Sequence, residues 1–272
     1  MSVPKDVIKA RLNLNVDNLL QTGSRMVRGL FMAEVISPFR SAGQSGESSP
    51  FIKSLFPEIR LAAMLERSLN TALGWGWDKI AGDIARSTHG NAEVGYFVSG
   101  QVPAATSNQI DALCADYTSG TNHGSPHTED ELRLILASAA APGAREDVRE
   151  KDDVYYVNSD GMEIHLEIKT PKPNYDQMRA AKRRILRLHA VRAPTKIRAL
   201  VGMPYNPNGL FGEYGWPTTK YFVDFQHDIL VGRDFWNFVG DSPNTYEELL
   251  ECFLEVAEER RADLVSLLEA AA

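Results

Sequence analysis

The chain is poor in cysteine: its 272 residues include two, Cys114 and Cys252, far apart and in no metal-ligand spacing. That excludes a disulfide scaffold and a cysteine zinc site, and free thiols in a reducing cytoplasm are the expectation. Long apolar runs are missing too. No stretch approaches the ~18 residues that a membrane-spanning helix needs. The start, Met1-Ser2-Val3-Pro4-Lys5-Asp6, lacks the apolar core of a secretion signal. No internal repeat and no clean linker is visible. What remains is an ordinary globular composition, 43% hydrophobic and 24% charged, long enough for one large domain or two small ones.

Charge is distributed unevenly. The net charge is −7, and residues 241–272 alone hold nine acids against two bases, which accounts for the whole excess. Residues 177–212 contain no acid and eight cations: Arg179, Lys182, Arg183, Arg184, Arg187, Arg192, Lys196 and Arg198. A local field of that sign suits phosphates even in an acidic protein. The plain alternative is a solvated helix face.

The pattern predicts two helices over 4–36, separated near Thr22-Gly23-Ser24, and a Ser/Gly/Pro-rich loop over 37–50. Helical spacing follows from Pro57 to about Leu73 and again from Trp77 to Ala85, with a short strand at Val94–Ser99. Residues 100–127 give no clear pattern. His123 and His127 lie in a Gly/Ser/Pro/Asn-rich stretch that reads as a loop rather than a zinc site. Thr128-Glu129-Asp130-Glu131 reads as a capping box opening a helix to about Ala140. Further on, a helix over Tyr175–His189, a strand at Ile197–Met203, a long loop over 204–220, a short strand at Tyr221–Phe225 and an acidic helix from Thr245 complete the pattern.

Between these lies a predicted hairpin. Val154-Tyr155-Tyr156-Val157 is β-prone, Ser159-Asp160-Gly161 is a turn, and Glu163 to Lys169 alternates apolar and polar. Pairing Asn158 with Met162 sets Val154 opposite Leu166 and Asp153 opposite Glu167. Opposed residues share a face. Asp153, Glu167 and Lys169 then stand together, with His165 on the same face, while Val154, Tyr156, Ile164 and Leu166 face the core. A slip of one residue would put Asp152 in place of Asp153.

Two acids and a lysine on one face are suited to phosphodiester hydrolysis. A Mg²⁺ held by one or two carboxylates keeps sites for water and phosphate. Asp153 and Glu167 are the candidate ligands, with the Ile168 carbonyl between them as a further oxygen. Lys169 is placed to orient the water or to meet the phosphate. A Glu-x-Lys pair alone more often makes a cross-strand salt bridge on a solvent-facing strand. Here a second acid in register, a basic helix and a sharp Pro-Lys-Pro-Asn stop accompany it.

These residues resemble a known family. Asp153, then Glu167-Ile168-Lys169, then helix and strand, is similar to the PD-(D/E)XK nuclease core. Glu167-Ile168-Lys169-Thr170-Pro171-Lys172-Pro173-Asn174 looks like type II restriction endonucleases, most of all the TdeIII group. Residues 66–74 and Val231-Gly232-Arg233-Asp234-Phe235-Trp236 resemble flanking segments of such enzymes. The resemblance implies an α/β fold with a central mixed β-sheet flanked by helices and with helical N- and C-terminal additions. It implies one domain: a helical part at 1–56, a core at 57–240 and an acidic helix at 241–272. It also implies a homodimer that cuts double-stranded DNA at a short palindrome, GGNCC-like in that group, with Mg²⁺. Some members of the superfamily take a ligand from the preceding helix, which makes Glu66 a candidate catalytic residue. The departure is that Asp153 follows Asp152 and not proline. Lys172, Arg179, Lys182, Arg183 and Arg187 are the candidate phosphate contacts, and Asn206, Asn208 and Lys220 are further groove-side donors. A structure-specific or repair nuclease of the same core, and a non-catalytic DNA-binding module, are the competing readings.

Overall fold

The computed structural model describes residues 3–36, 67, 71, 74, 76–119 and 126–269. Its helices are α1 (Lys5–Ile36), α2 (Trp77–His89), α3 (Ala104–Ser119), α4 (Thr128–Ala139), α5 (Tyr175–Arg192), α6 (Pro217–Lys220), α7 (Arg233–Val239), α8 (Thr245–Glu259) and α9 (Arg261–Glu269). Its strands are β1 (Glu93–Val94), β2 (Phe97–Pro103), β3 (Arg145–Lys151), β4 (Val154–Val157), β5 (Glu163–Ile168), β6 (Ile197–Met203) and β7 (Ile229–Val231). The chain forms two compact units, one of Met1–Pro4 and Trp77–Glu247, the other of Lys5–Gly76 and Glu248–Ala272. Apart from Arg67 and Thr71, which are helical, the predicted helix over 57–73 lies outside the described residues, as do the candidate Glu66 and His123.

The larger unit is built on a mixed five-stranded sheet in the order β1-β4-β5-β6-β7, with β2 and β3 forming a separate antiparallel ribbon. β4 and β5 are the predicted hairpin, and the predicted register holds: Val154 faces Leu166 and Tyr156 faces Ile164. β5, α5 and β6 make the expected parallel crossover, in which Glu167 is paired with Val201 and His165 with Ala199. Ala199, Val201 and Met203 pack in one core with Met178, Ala181, Ile185 and Leu188 of α5. Residues paired across strands share a face, so His165 and Glu167 also lie on the side that α5 covers. On the other side α2 packs along β4, and α7 packs against β7. Gly202 of β6 is required here. A Cβ at this position would stand 2.2 Å from the Phe235 ring of α7.

α5 begins where the sequence stops β5. Pro171 and Pro173 block further pairing. Asn174 then caps the helix by accepting from the Gln177 amide at 2.9 Å, while the Gln177 side chain accepts the Asn174 amide at 2.8 Å.

The smaller unit holds α1, most of α8, and α9. Leu249, Cys252 and Val256 are buried along one stripe of α8, whereas Leu250 and Leu254 are exposed. Lys5 and Lys9 of α1 pair with Glu251, Glu255 and Glu259 of α8, and Arg260 pairs with Asp17 at 2.5 Å. These acids serve as partners for α1 as well as a solvated surface.

Several expectations are corrected. α1 is one helix, not two, and Ser24 satisfies its hydroxyl on the Leu20 carbonyl at 2.8 Å. α3 fills the unassigned stretch, burying Ile110, Cys114 and Tyr117. β3 is a strand although Val148 is its one buried residue. The Tyr221–Phe225 segment is turn, and the strand comes later, at β7. The C-terminal helix is two helices broken at Arg260. α4 is capped by the His127 ring rather than by a capping box, because Thr128 and Glu131 are drawn into buried pairs elsewhere.

Candidate active site

The strand hairpin delivers Asp153, Glu167 and Lys169 to one place. The Asp153 amide donates to the Leu166 carbonyl at 3.0 Å, which extends the β4–β5 ladder by one step and fixes the register. The Asp153 carboxylate accepts the Ile168 amide at 2.6 Å. Burial, and then the charge of Glu167, push the Asp153 carboxyl up to about 6. Glu167 is met by two cations, Lys169 from its own strand and Arg184 from α5. Two acids are therefore close enough to repel, and one of them has no cation of its own among the described residues. That is an arrangement a divalent cation relieves.

Asp152 and Asp153 differ in their partners. Asp152 is fully buried, with one oxygen on Arg184 and the other on the His165 ring at 2.7 Å. Its acceptor capacity is committed to structure. The Asp153 carboxylate takes the Ile168 amide and, among the described residues, has no cation within ion-pairing distance. A run of polar contacts then crosses this face: Arg192 to Glu163 at 3.0 Å, Glu163 to His165 at 3.3 Å, His165 to Asp152, Asp152 to Arg184, Arg184 to Glu167, and Glu167 to Lys169. His165 is not a strand-surface histidine. It is completely enclosed and held on both ring nitrogens.

Arg184 was part of the basic block but was not singled out from sequence. The signal was present: with Ala181, Ile185 and Leu188 buried, residue 184 falls on the same inward stripe of α5. A cation at such a position must find acids across the interface, since an unpaired buried charge is costly.

The same logic removes Lys182 from the phosphate-binding block. Lys182 is fully buried between Glu131 and Asp228, and the Asp228 contact is 2.7 Å. It cannot reach DNA. Arg183 pairs with Asp111 at 2.9 Å, Arg187 with Glu150 at 3.2 Å and Arg179 with Asp176 at 3.2 Å. The absence of acids within 177–212 concealed acids outside it, Asp176 in the same helix and Asp111, Glu131, Glu150 and Asp228 elsewhere in the chain. Lys172 is exposed, with its ammonium 5.6 Å from the Trp216 ring centroid. It stays a candidate phosphate contact beside the site.

The 204–216 loop is built rather than loose. Asn206 donates to the Gly212 carbonyl at 2.6 Å and accepts the Asn208 amide at 3.0 Å, and Asn208 donates to the Glu213 carbonyl at 2.8 Å. Both asparagines are thus used in shaping the loop. Tyr214 and Trp216 in turn donate to the carbonyls of Pro171 and Pro173, each at 2.9 Å. The loop thereby braces the segment that follows Lys169.

Among the described residues no group of three or more His, Cys, Asp or Glu side chains is set to hold a metal. Two carboxylates with a nearby backbone carbonyl fit Mg²⁺, which takes one or two carboxylates and keeps several waters. They do not fit an all-protein cage.

Known proteins share much of this sequence. The family model described as "Type II restriction endonuclease, HinfI" matches residues 24–257. The type II restriction enzyme HgiEI of Herpetosiphon aurantiacus is 32% identical over 239 residues, covering 86% of each chain. From the same organism, HgiBI is 30% identical over 98% of this chain and 97% of its own. HgiCII is 30% identical over 98% of both.

Proposed function

The chain belongs to the HinfI family of type II restriction endonucleases, and from that premise we propose that it is a PD-(D/E)XK enzyme that cuts both strands of duplex DNA at a short palindromic site. Asp153, Glu167 and Lys169 are its catalytic residues, and Asp153, Glu167 and the Ile168 carbonyl are its Mg²⁺ ligands. The observation that carries this reading is the shared face of Asp153 and Glu167, with the Asp153 carboxyl pushed up to about 6 by burial and by its neighbour.

Bound there, Mg²⁺ supplies charge neutralisation at the phosphate and lowers the pKa of a coordinated water. The remaining work falls to side chains. Lys169 is held against Glu167 and is placed to orient the attacking water or to meet the scissile phosphate. Arg184 fixes the Glu167 carboxylate from α5, so that the acid is set before substrate arrives. Lys172, on the segment just beyond, takes a phosphate of the bound strand. Glu66 is a further candidate catalytic acid.

A palindromic target calls for a two-fold protein, so the enzyme acts as a homodimer. Leu14, Leu250 and Leu254 are exposed on the helical unit and are candidate contacts between copies. No described helix is long and apolar enough to cross a membrane, which accords with action on DNA in the cytoplasm. The likeness of residues 167–174 to the TdeIII group makes GGNCC the first target to test.

The test is digestion of unmethylated phage and plasmid DNA with Mg²⁺ and with chelator, followed by sequencing of the ends. Discrete Mg²⁺-dependent fragments sharing one terminal sequence are expected. Intact DNA in the presence of folded protein would overturn the reading.

A further inference from the structure

The β2–β3 ribbon has one face committed to the core and one left open. Phe97 is paired with Lys151, Ser99 with Arg149, Gln101 with Asp147 and Pro103 with Arg145. On the inward row Val98, Val102 and Val148 are buried, and Glu150 is taken by Arg187. On the outward row Arg145, Asp147, Arg149 and Lys151 are exposed, and Phe97 is 49% exposed. Asp147 is engaged by the Gln101 amide at 2.9 Å. Among the described residues neither Arg149 nor Lys151 has a carboxylate within ion-pairing distance.

Phe97 organises this face. The Arg149 guanidinium carbon stands 4.0 Å from its ring centroid and the Lys151 ammonium 6.0 Å away. A cation resting on a ring keeps its charge available to solvent while losing rotamer freedom in advance. The contrast with α5 is direct, because there the inward cations are neutralised by acids of the sheet. Unpaired exposed cations are the ones that replace condensed counterions on a polyanion.

The ribbon also leads into the active site. Lys151 ends β3, and Asp153 follows two residues later. The joint is pinned, with the Asp152 amide on the Tyr96 carbonyl at 2.7 Å and the Gly95 amide on the Asp153 carbonyl at 3.0 Å. Two residues span at most ~7 Å and four at most ~14 Å. Lys151 and Arg149 therefore stand one and two such steps from the acid at the scissile phosphate.

We propose that the outward face of the β2–β3 ribbon is a contact surface for the DNA backbone, with Arg149 and Lys151 each holding a phosphate that flanks the one being cut. Phe97 acts as their platform. The assignment rests on the restriction-endonuclease reading and adds to it a contact surface on a different element from the basic helix.

The full-length double variant Arg149→Ala/Lys151→Ala tests it. Binding to a random-sequence duplex is measured in chelator across a salt series, beside wild type and the charge-conserving Arg149→Lys/Lys151→Arg. Each phosphate contact contributes about 0.9 to the slope of log affinity against log salt. In the homodimer the alanine variant removes four such contacts and should lose roughly 3.6 from that slope, and the charge-conserving variant should keep it. In cleavage the alanine variant should show a raised KM with kcat within a few-fold of wild type. An unchanged slope and affinity, with wild type cleaving normally, would overturn the ribbon assignment alone. Wild type that neither binds with salt dependence nor cleaves would overturn the enzyme reading and this one with it.

Discussion

The Asp153 carboxylate accepts the Ile168 amide at 2.6 Å while facing the like charge of Glu167. This contact separates it from its neighbour Asp152, which is sealed between Arg184 and His165. Acids adjacent in sequence thus have different surroundings.

Replacing each acid should therefore give opposite outcomes. Asp153→Asn should cost at least about a hundredfold in cleavage while leaving the fold intact. A carboxyl whose folded pKa is raised gives stability at low pH that is lost as pH rises through about 6. The metal-free asparagine variant should accordingly melt at or above the wild-type temperature at pH 8. Asp152→Asn should be less stable, by about 3–5 kcal/mol, and melt lower, because it removes one of the two carboxylates that hold the buried Arg184. Thermal melts of both variants decide it.

Arg184 is a positioning residue for Glu167. Arg184→Met should destabilise by a similar amount, since it takes the guanidinium from the buried Asp152 and leaves that acid with the His165 ring alone. Arg184→Lys restores charge but not the two-pronged reach. It should fold, cut slowly, and need more Mg²⁺ for half-maximal rate. A Mg²⁺ titration of single-turnover cleavage checks this, and an unchanged midpoint would contradict it.

Two lysines of the basic stretch should behave differently. Lys182→Met leaves Glu131 and Asp228 without their cation and should cost about 3–5 kcal/mol of stability. Lys172→Ala should leave the melting temperature unchanged and weaken duplex binding several-fold. Equal effects on melting would show that the burial of Lys182 has been misjudged.

His189 governs part of the acid limb. Burial pushes its imidazole down to about 4 from an ordinary value of 6.5. A base with a depressed folded pKa contributes stability that is present above about 6.5 and lost as pH falls through about 4. The loss is at most about 3 kcal/mol. His189→Gln should flatten the stability profile between those pH values, as followed by urea unfolding.

The hairpin was legible because its information is local. A two-residue alternation and one turn fix the register, so Asp153 opposite Glu167 could be counted out from Asn158 and Met162. The crossover to β6 followed from apolar length and the proline stop. Partners across the fold were not legible. Nothing near Lys182 in sequence announces Glu131 or Asp228, and nothing near Arg184 announces Asp152. Charge counted along a chain misjudges charge in space wherever a helix faces a sheet. β3 was missed for a related reason. With one buried residue it lacks the alternation that marks a strand, and its pairing depends on β2, some fifty residues earlier.

The most direct test of the central claim is single-turnover cleavage of unmethylated DNA by wild type, Glu167→Ala and Lys169→Ala, with folding checked by circular dichroism. The account predicts discrete Mg²⁺-dependent fragments from wild type and none from either variant, with all three proteins folded. Wild-type rates in both variants would contradict it.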